Sequence, residues 1–212
     1  MTSAMQTLLI ANPKGGAGKS TLATNLATYY AWRGKTVALG DLDRQQSSAH
    51  WLGLRSASFP AIARWEGDGD ELAKPPKGTE IAILDTPAGL RGKRLEAALK
   101  CSDHILVPVQ PSSFDMWASQ DFFARLAEEK QVRKGKVKVG VVGMRVKTGT
   151  RASQQLVDFL AQFDLPVLSS LRDTQYYLQT LPRGLGLFDL PAPRVARDLE
   201  QWQPILDWLE HR

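Results

Sequence analysis

At 212 residues, 43% hydrophobic and 23% charged, the chain is long enough to bury one substantial core in a single domain without staples. Its one cysteine, Cys101, excludes an internal disulfide and an all-cysteine metal site, and no apolar stretch approaches the roughly 20 residues of a membrane span. The balance of 27 Lys and Arg against 22 Asp and Glu, a net +5, is too mild by itself to assign a nucleic-acid partner.

Taken in chain order, residues 7–12 (TLLIAN) read as a first strand that ends in a glycine-rich turn, and residues 20–33 as a helix closed by Gly34. Residues 36–42 (TVALGDL) form the next strand. Residues 81–85 (IAILD), 105–109 (ILVPV), 137–142 (VKVGVV) and 167–171 continue the series of short apolar runs rich in β-branched residues. Helices are expected at about 90–100, 114–130, 151–163 and 173–181. Residues 56–78, with adjacent prolines at 75 and 76, read as an irregular insertion. The segment 194–212 sets Val195, Leu199, Trp202, Leu206 and Leu209 at helical spacing, a helix docked on the core. Strands alternating with helices predict an α/β fold, a mostly parallel twisted sheet with helices on both faces. Cys101 is expected as a small buried residue near a helix end, most tryptophans as packing residues, and His50 and His104 as caps or packed side chains. With no charged-then-apolar leader, the expected compartment is the cytoplasm.

The chemistry concentrates after the first strand. Lys14, Gly15, Gly16, Ala17, Gly18, Lys19, Ser20 and Thr21 stand between a strand and a helix, the context a phosphate-binding P-loop requires. Glycines let successive backbone N–H groups converge on an anion, and the helix N-terminus adds its positive dipole end. Lys19 would reach the β- and γ-phosphates of a nucleotide, the Ser20 hydroxyl would ligate Mg²⁺, and Thr21 would touch the α-phosphate. Pro13 stands where the motif's first glycine belongs. Three carboxylates end predicted strands. Asp41 and Asp43, two apart, share one face and point toward the crevice where open α/β sheets bind ligands, and Asp85 is placed to hold Mg²⁺ through water.

The run KGGAGKST resembles the deviant Walker A motif of the ParA/MinD ATPases, which makes the expected fold that of a single-domain P-loop NTPase. The family's signature lysine falls on Lys14, and the resemblance implies that Lys14 crosses a homodimer interface in the ATP state and contacts the partner's phosphates. The segment DLDRQ is similar to the family's D-x-D-P-Q element, with Arg44 in place of Pro. This implies that Asp41 supports Mg²⁺ while Asp43 activates the attacking water. DTPAG is similar to a γ-phosphate-sensing switch. ILVPVQPSSFD is similar to the segment lining base and ribose, which points to Pro108 and Pro111, and Arg145 falls where a base-stacking residue is expected.

The likeness is to small ParA proteins without an N-terminal DNA-binding domain. It implies an ATPase using ATP/ADP and Mg²⁺ that binds non-specific DNA in its ATP state, associates with the nucleoid and works with a separate ParB-like cargo adaptor. Plasmid or chromosome segregation leads among cargoes, with carboxysomes and chemoreceptor clusters open. Candidate DNA contacts are Arg172, Arg183, Arg194 and Arg197, with Lys134, Lys136 and Lys138 as a second patch. Two alternatives are a membrane-cycling regulator like MinD and a metabolic ATP-dependent enzyme. The first lacks a basic amphipathic tail, since residues 194–212 are balanced in charge; the second lacks a recognisable substrate constellation.

Overall fold

The structure, a computed structural model, describes residues 5–66 and 74–211. Among the described residues seven strands form one sheet: β1 (Gln6–Ile10), β2 (Val37–Asp41), β3 (Ala63–Trp65), β4 (Ile81–Asp85), β5 (His104–Val109), β6 (Lys138–Gly143) and β7 (Val167–Ser170). Their spatial order is β3-β2-β4-β1-β5-β6-β7, and every described pairing is parallel. The helices are α1 (Lys19–Trp32), α2 (Ser47–Gly53), α3 (Gly92–Lys100), α4 (Ser113–Glu128), α5 (Lys130–Arg133), α6 (Arg151–Leu160), α7 (Gln175–Thr180) and α8 (Ala192–Glu210), with two 3₁₀ turns at Leu181–Arg183 and Leu187–Asp189.

Strand side chains alternate between two cores. Leu8, Ile10, Val37, Leu39, Ile81, Ile83 and Leu106 face one side, where α1, α2 and α8 contribute Leu22, Leu26, Trp51, Trp202 and Leu206. Leu9, Ala38, Ala82, Leu84, Ile105 and Val107 face the other, against Leu95 and Leu99 of α3, Phe122 and Leu126 of α4, and Leu156 of α6. A sheet covered on both faces needs apolar residues at every strand position, which is why these strands read as continuous apolar runs. From β1 the chain steps to β2 on one side and later reaches β5 on the other. The crevice at this reversal lies beyond the carboxyl ends of β1, β4 and β5, where doubly wound sheets take their ligands.

The predicted α/β architecture holds, with differences in detail, among them helix α2 (Ser47–Gly53), which stands where the sequence reading assigned no element. Residues 63–65, read as part of an irregular insertion, form the edge strand β3 against β2; three residues are too few to carry a periodic signal. Positions 67–73 of that insertion lie outside the described residues. Cys101, expected to be buried, caps the end of α3 but is exposed. Helix α8 buries Val195, Trp202, Leu206 and Leu209 as its spacing predicts, although its first turn is broken at Val195 and Pro204 lies inside it. Trp51, Trp65 and Trp202 are buried, whereas Trp32 and Trp117 are more than half exposed. His104 packs edge-on against Trp208, and His50 is exposed in the last turn of α2.

Candidate functional site at the carboxyl edge of the sheet

The loop between β1 and α1 opens with a turn built by Asn12. Its Oδ1 accepts the Lys14 N–H at 2.7 Å, and its amide donates to the Pro108 carbonyl (2.7 Å) and the Ser119 hydroxyl (3.2 Å). An Asx-type turn spanning Pro13 is the physical reason a proline is tolerated where the motif has glycine. Gly16 and Gly18 follow with φ of 75° and 103°, the left-handed region that side chains resist. A Cβ at Gly18 would also fall 2.7 Å from the Met144 side chain. Behind the loop, the Gln110 side-chain amide donates to the Gly16 carbonyl at 2.5 Å. The segment expected to line the nucleotide therefore braces the loop: Pro108, buried in β5, holds Asn12, and half-buried Pro111 follows Gln110.

Helix α1 starts bare. Gly18 offers no side-chain cap, and the first turn holds no acidic residue. By contrast α4, α6 and α7 are capped by Ser112, Thr150 and Thr174. The first N–H groups of α1 thus keep their capacity for an anion. Lys19, only 7% exposed, donates from Nζ to the Lys14 carbonyl at 2.8 Å. Burial lowers its pKa, and attraction to Asp85 and Asp43 opposes that shift.

The three acidic residues differ sharply. In the sheet register Asp41 lies opposite Asp85, and Asp85 lies opposite Ile10, so the two carboxylates occupy one row at the carboxyl edge, with Asp43 two residues beyond it. Asp85 is 1% exposed, and burial pushes its pKa up to about 6 against the opposing pull of the Ser20 and Ser48 hydroxyls. Ser48 Oγ donates to Asp85 Oδ2 at 2.6 Å, while buried Oδ1 has no hydrogen-bond partner among the described residues. Asp41 instead accepts three backbone N–H groups: Asp43 at Oδ1 (2.9 Å), and Ser48 (2.8 Å) and Ala49 (3.1 Å) at Oδ2. It shapes the loop and the start of α2, leaving about one of a carboxylate's four lone-pair sites free for a metal's water. Asp43 is half-buried, and among the described residues its carboxylate accepts the Gln45 N–H alone, at Oδ1 (3.0 Å). Gln46, which sequence reasoning passed over, sits at φ 51° and clamps the loop by donating to the Asp41 (2.9 Å) and Asp43 (2.8 Å) carbonyls.

Across the crevice Arg145 is exposed at the end of β6 with φ 53°, a backbone state rare for a residue with a Cβ and concentrated at functional sites. The Lys14 ammonium lies over the Phe114 ring at 5.9 Å, and Phe114 meets Trp117 edge-on at 5.7 Å; both rings are exposed.

The cationic candidates separate. Arg172 is committed to an internal fork: Nε and Nη2 bond buried Asp198 at 2.6 and 2.9 Å. That pair offsets the Arg172 charge, while the Arg172 side chain stays 32% exposed. Arg183, Arg194 and Arg197 are exposed, with Arg194 over the Tyr176 ring at 5.4 Å. Lys138 begins β6 opposite His104 at the start of β5, so the 134–138 patch lies at the far end of the sheet from the P-loop.

A Mg²⁺ ion fits the donor set. Among the described residues no cluster of three or more His, Cys, Asp and Glu could enclose a metal by itself. The arrangement is one buried carboxylate with an unsatisfied oxygen, a serine hydroxyl beside it and a second carboxylate in the same row. Mg²⁺, which keeps waters and is completed by substrate phosphates, is commonly held that way.

A nucleotide-binding α/β domain is the class that this fold and loop define. The CobQ/CobB/MinD/ParA nucleotide binding domain matches residues 8–185, and the chain belongs to that family. Maintenance of carboxysome distribution protein A of Halothiobacillus neapolitanus is 29% identical over 199 residues, covering 88% of each chain. Chromosome-partitioning ATPase Soj of Thermus thermophilus is 31% identical over 160 residues, 60% of this chain and 63% of Soj. Among solved structures, Cyanothece McdA in its apo form superposes with a TM-score of 0.73 at 18% identity, covering 95% of this chain and 99% of McdA. An ATP complex of a McdA variant gives 0.72, covering 96% and 97%. At that identity the likeness speaks for the fold.

Proposed function

We propose that the protein is an ATP-driven positioning switch: an Mg²⁺-dependent ATPase that dimerises with ATP, then binds DNA without sequence preference and distributes a cargo recognised by a separate adaptor. The observation that carries this reading is the uncapped, acid-free start of α1 beneath a glycine loop, set against a buried aspartate with an unused oxygen. Family membership and relatives whose names assign them to carboxysome distribution and chromosome partition support it. The cargo classes remain plasmid, chromosome, carboxysome or chemoreceptor cluster.

The residues divide the work. The amides of Gly15, Gly16, Ala17, Gly18, Lys19, Ser20 and Thr21 cradle the phosphates, and Lys19 offsets charge on the transferring phosphoryl group. Ser20 and Asp85 would hold Mg²⁺, Asp85 through water, with Asp41 supporting it; the ion would supply positive charge that offsets charge developing on the phosphates. Asp43, with one oxygen free of protein partners, orients the attacking water and takes its proton. Arg145 stacks on the base, with Pro108 and Pro111 behind it. Lys14 rests over Phe114 in a single subunit and serves a second subunit's phosphates in the dimer. Arg183, Arg194 and Arg197 contact DNA phosphates.

Helix α8 argues against the membrane-cycling alternative, because its apolar positions are buried in the protein's own core. The deciding experiment is binding to non-specific duplex DNA with ATP, with ADP and without nucleotide at one salt concentration. Binding with ATP alone is expected, weakening steeply with salt and lost in Lys14→Ala. Equal binding, or none, in all three states sinks the DNA switch.

A further inference from the structure

Helix α2 touches the nucleotide site with one end and a distant surface segment with the other. At its start, Ser48 is fully buried; its hydroxyl holds Asp85 Oδ2 (2.6 Å) and its amide is held by Asp41 Oδ2 (2.8 Å). One turn on, the Trp51 indole N–H donates to the Leu185 carbonyl at 3.1 Å. Just past the helix, Arg55 bonds the Gly184 carbonyl from Nη1 (3.1 Å) and forks onto Asp189 at 2.8 and 2.9 Å. That ion pair is almost wholly buried, the Arg55 side chain 4% exposed and that of Asp189 0%.

The partner segment leaves little room for slack. A Cβ at Gly184 would fall 2.4 Å from the Arg55 backbone nitrogen, and one at Gly186 2.6 Å from Thr28 Oγ1. Asp189 also accepts the Gly186 N–H (2.8 Å) and the Trp32 indole (2.7 Å). The Leu187 N–H donates to Asn25 Oδ1 (2.7 Å) on α1, the helix that begins in the P-loop. Residues 184–189 are therefore held by both helices that start at the phosphate site, and they follow directly on the 3₁₀ turn that displays exposed Arg183.

We infer that α2 is a strut that transmits the state of the nucleotide site to residues 184–189, with Ser48 as its input contact and Trp51 and Arg55 as its output contacts. The inference rests on the proposed nucleotide role of Asp41 and Asp85. A metal or phosphate that engages Asp85 acts on the same carboxylate that Ser48 holds through its hydroxyl. A seven-residue helix moves as one body. Its far end is bonded through a buried guanidinium fork and an indole, contacts that either move with it or break. Coupling requires an element whose position both ends bias, and α2 meets that condition with named contacts at each end.

The test is amide hydrogen exchange of the wild-type protein and of Trp51→Phe and Arg55→Lys, each with and without Mg-ATP, alongside nucleotide affinity measured separately. Trp51→Phe removes the indole donor along with part of a buried ring, and Arg55→Lys keeps the charge while removing the fork. In the wild-type protein, the exchange of amides in 184–189 should change about fivefold or more on adding Mg-ATP. In the variants that response should shrink or vanish, while nucleotide affinity and the protection of α1 stay near wild type. Nucleotide binding with no change at 184–189 in the wild-type protein overturns the strut alone, as does a full response in both variants. Failure of the wild-type protein to bind Mg-ATP overturns the functional reading and the strut with it.

Discussion

At the start of the strands, Asp103 and Glu80 spend their carboxylates on closing the sheet. Asp103 accepts the Thr7 N–H at 2.7 Å; Glu80 accepts the Thr36 N–H and the Lys35 ammonium, both at 2.9 Å. At the finish of the same strands, Asp85 keeps one buried oxygen without a partner among the described residues, and Asp43 uses one oxygen on a single amide. All four are carboxylates, yet the structural Asp103 is exposed while Asp85, which has spare capacity, is sealed in. A buried acceptor left unmatched costs on the order of 1–3 kcal/mol, so such a group persists where something else completes it. On the proposed function, the two ends of one sheet separate stability from chemistry, and substitutions at each end should fail in different assays.

The largest effect belongs to Lys19→Ala at the carboxyl edge. Losing a charge-assisted contact to the phosphates should weaken ATP binding on the order of 100-fold or more. Alanine preserves the helix, so the melting midpoint should stay within a few degrees. Wild-type affinity in a nucleotide titration would remove the P-loop assignment. Next comes Asp43→Ala, which should slow hydrolysis by about 10²- to 10⁴-fold, the range of a positioned general base, and leave ATP affinity close to wild type. Normal turnover would reassign the water to another group.

At the opposite edge, Asp103→Ala should do the reverse. The Thr7 amide loses its carboxylate partner, at a cost of about 1 kcal/mol, or roughly 2–4 °C in melting midpoint for a domain of this size. ATP affinity should not move. A change in affinity without a change in midpoint would break the separation between the two ends.

How far the sequence alone reaches follows the same geography. The P-loop was legible because its parts are contiguous from Lys14 to Thr21, and the aspartates because each closes or follows an apolar run. The sheet's two-faced burial was legible for the same reason. The contacts that set the site's geometry were not. Ser48 and Asp85 are 37 residues apart, Asn12 and Ser119 107 apart, and Arg55 and Asp189 134 apart. Pairings over such separations leave no local periodicity or spacing to read. Arg172 looked like surface charge because its partner, Asp198, lies on another element. Gln46 carries a left-handed backbone without glycine or asparagine to announce it.

The finest distinction between the two ends is a pair of opposed titrations in the metal-free protein. Burial pushes Asp85 up to about 6, above the ordinary carboxylate range, so the folded chain binds its proton more tightly than the unfolded chain does. That contribution to stability is complete at low pH and is lost as pH rises through about 6. His104 runs the other way. Burial, with Lys138 adding repulsion and Asp103 partly offsetting it, holds its pKa below the ordinary value of about 6.5, so the unfolded chain binds that proton more tightly. Its contribution is present above about 6.5 and is lost as pH falls through the lowered value. Melting midpoints between pH 5 and 7.5 in the presence of a chelator should therefore change slope in opposite senses. Asp85→Asn should make stability rise more steeply with pH, and His104→Phe less steeply. Slopes displaced in the same direction would show that the two ends of the sheet do not titrate against each other.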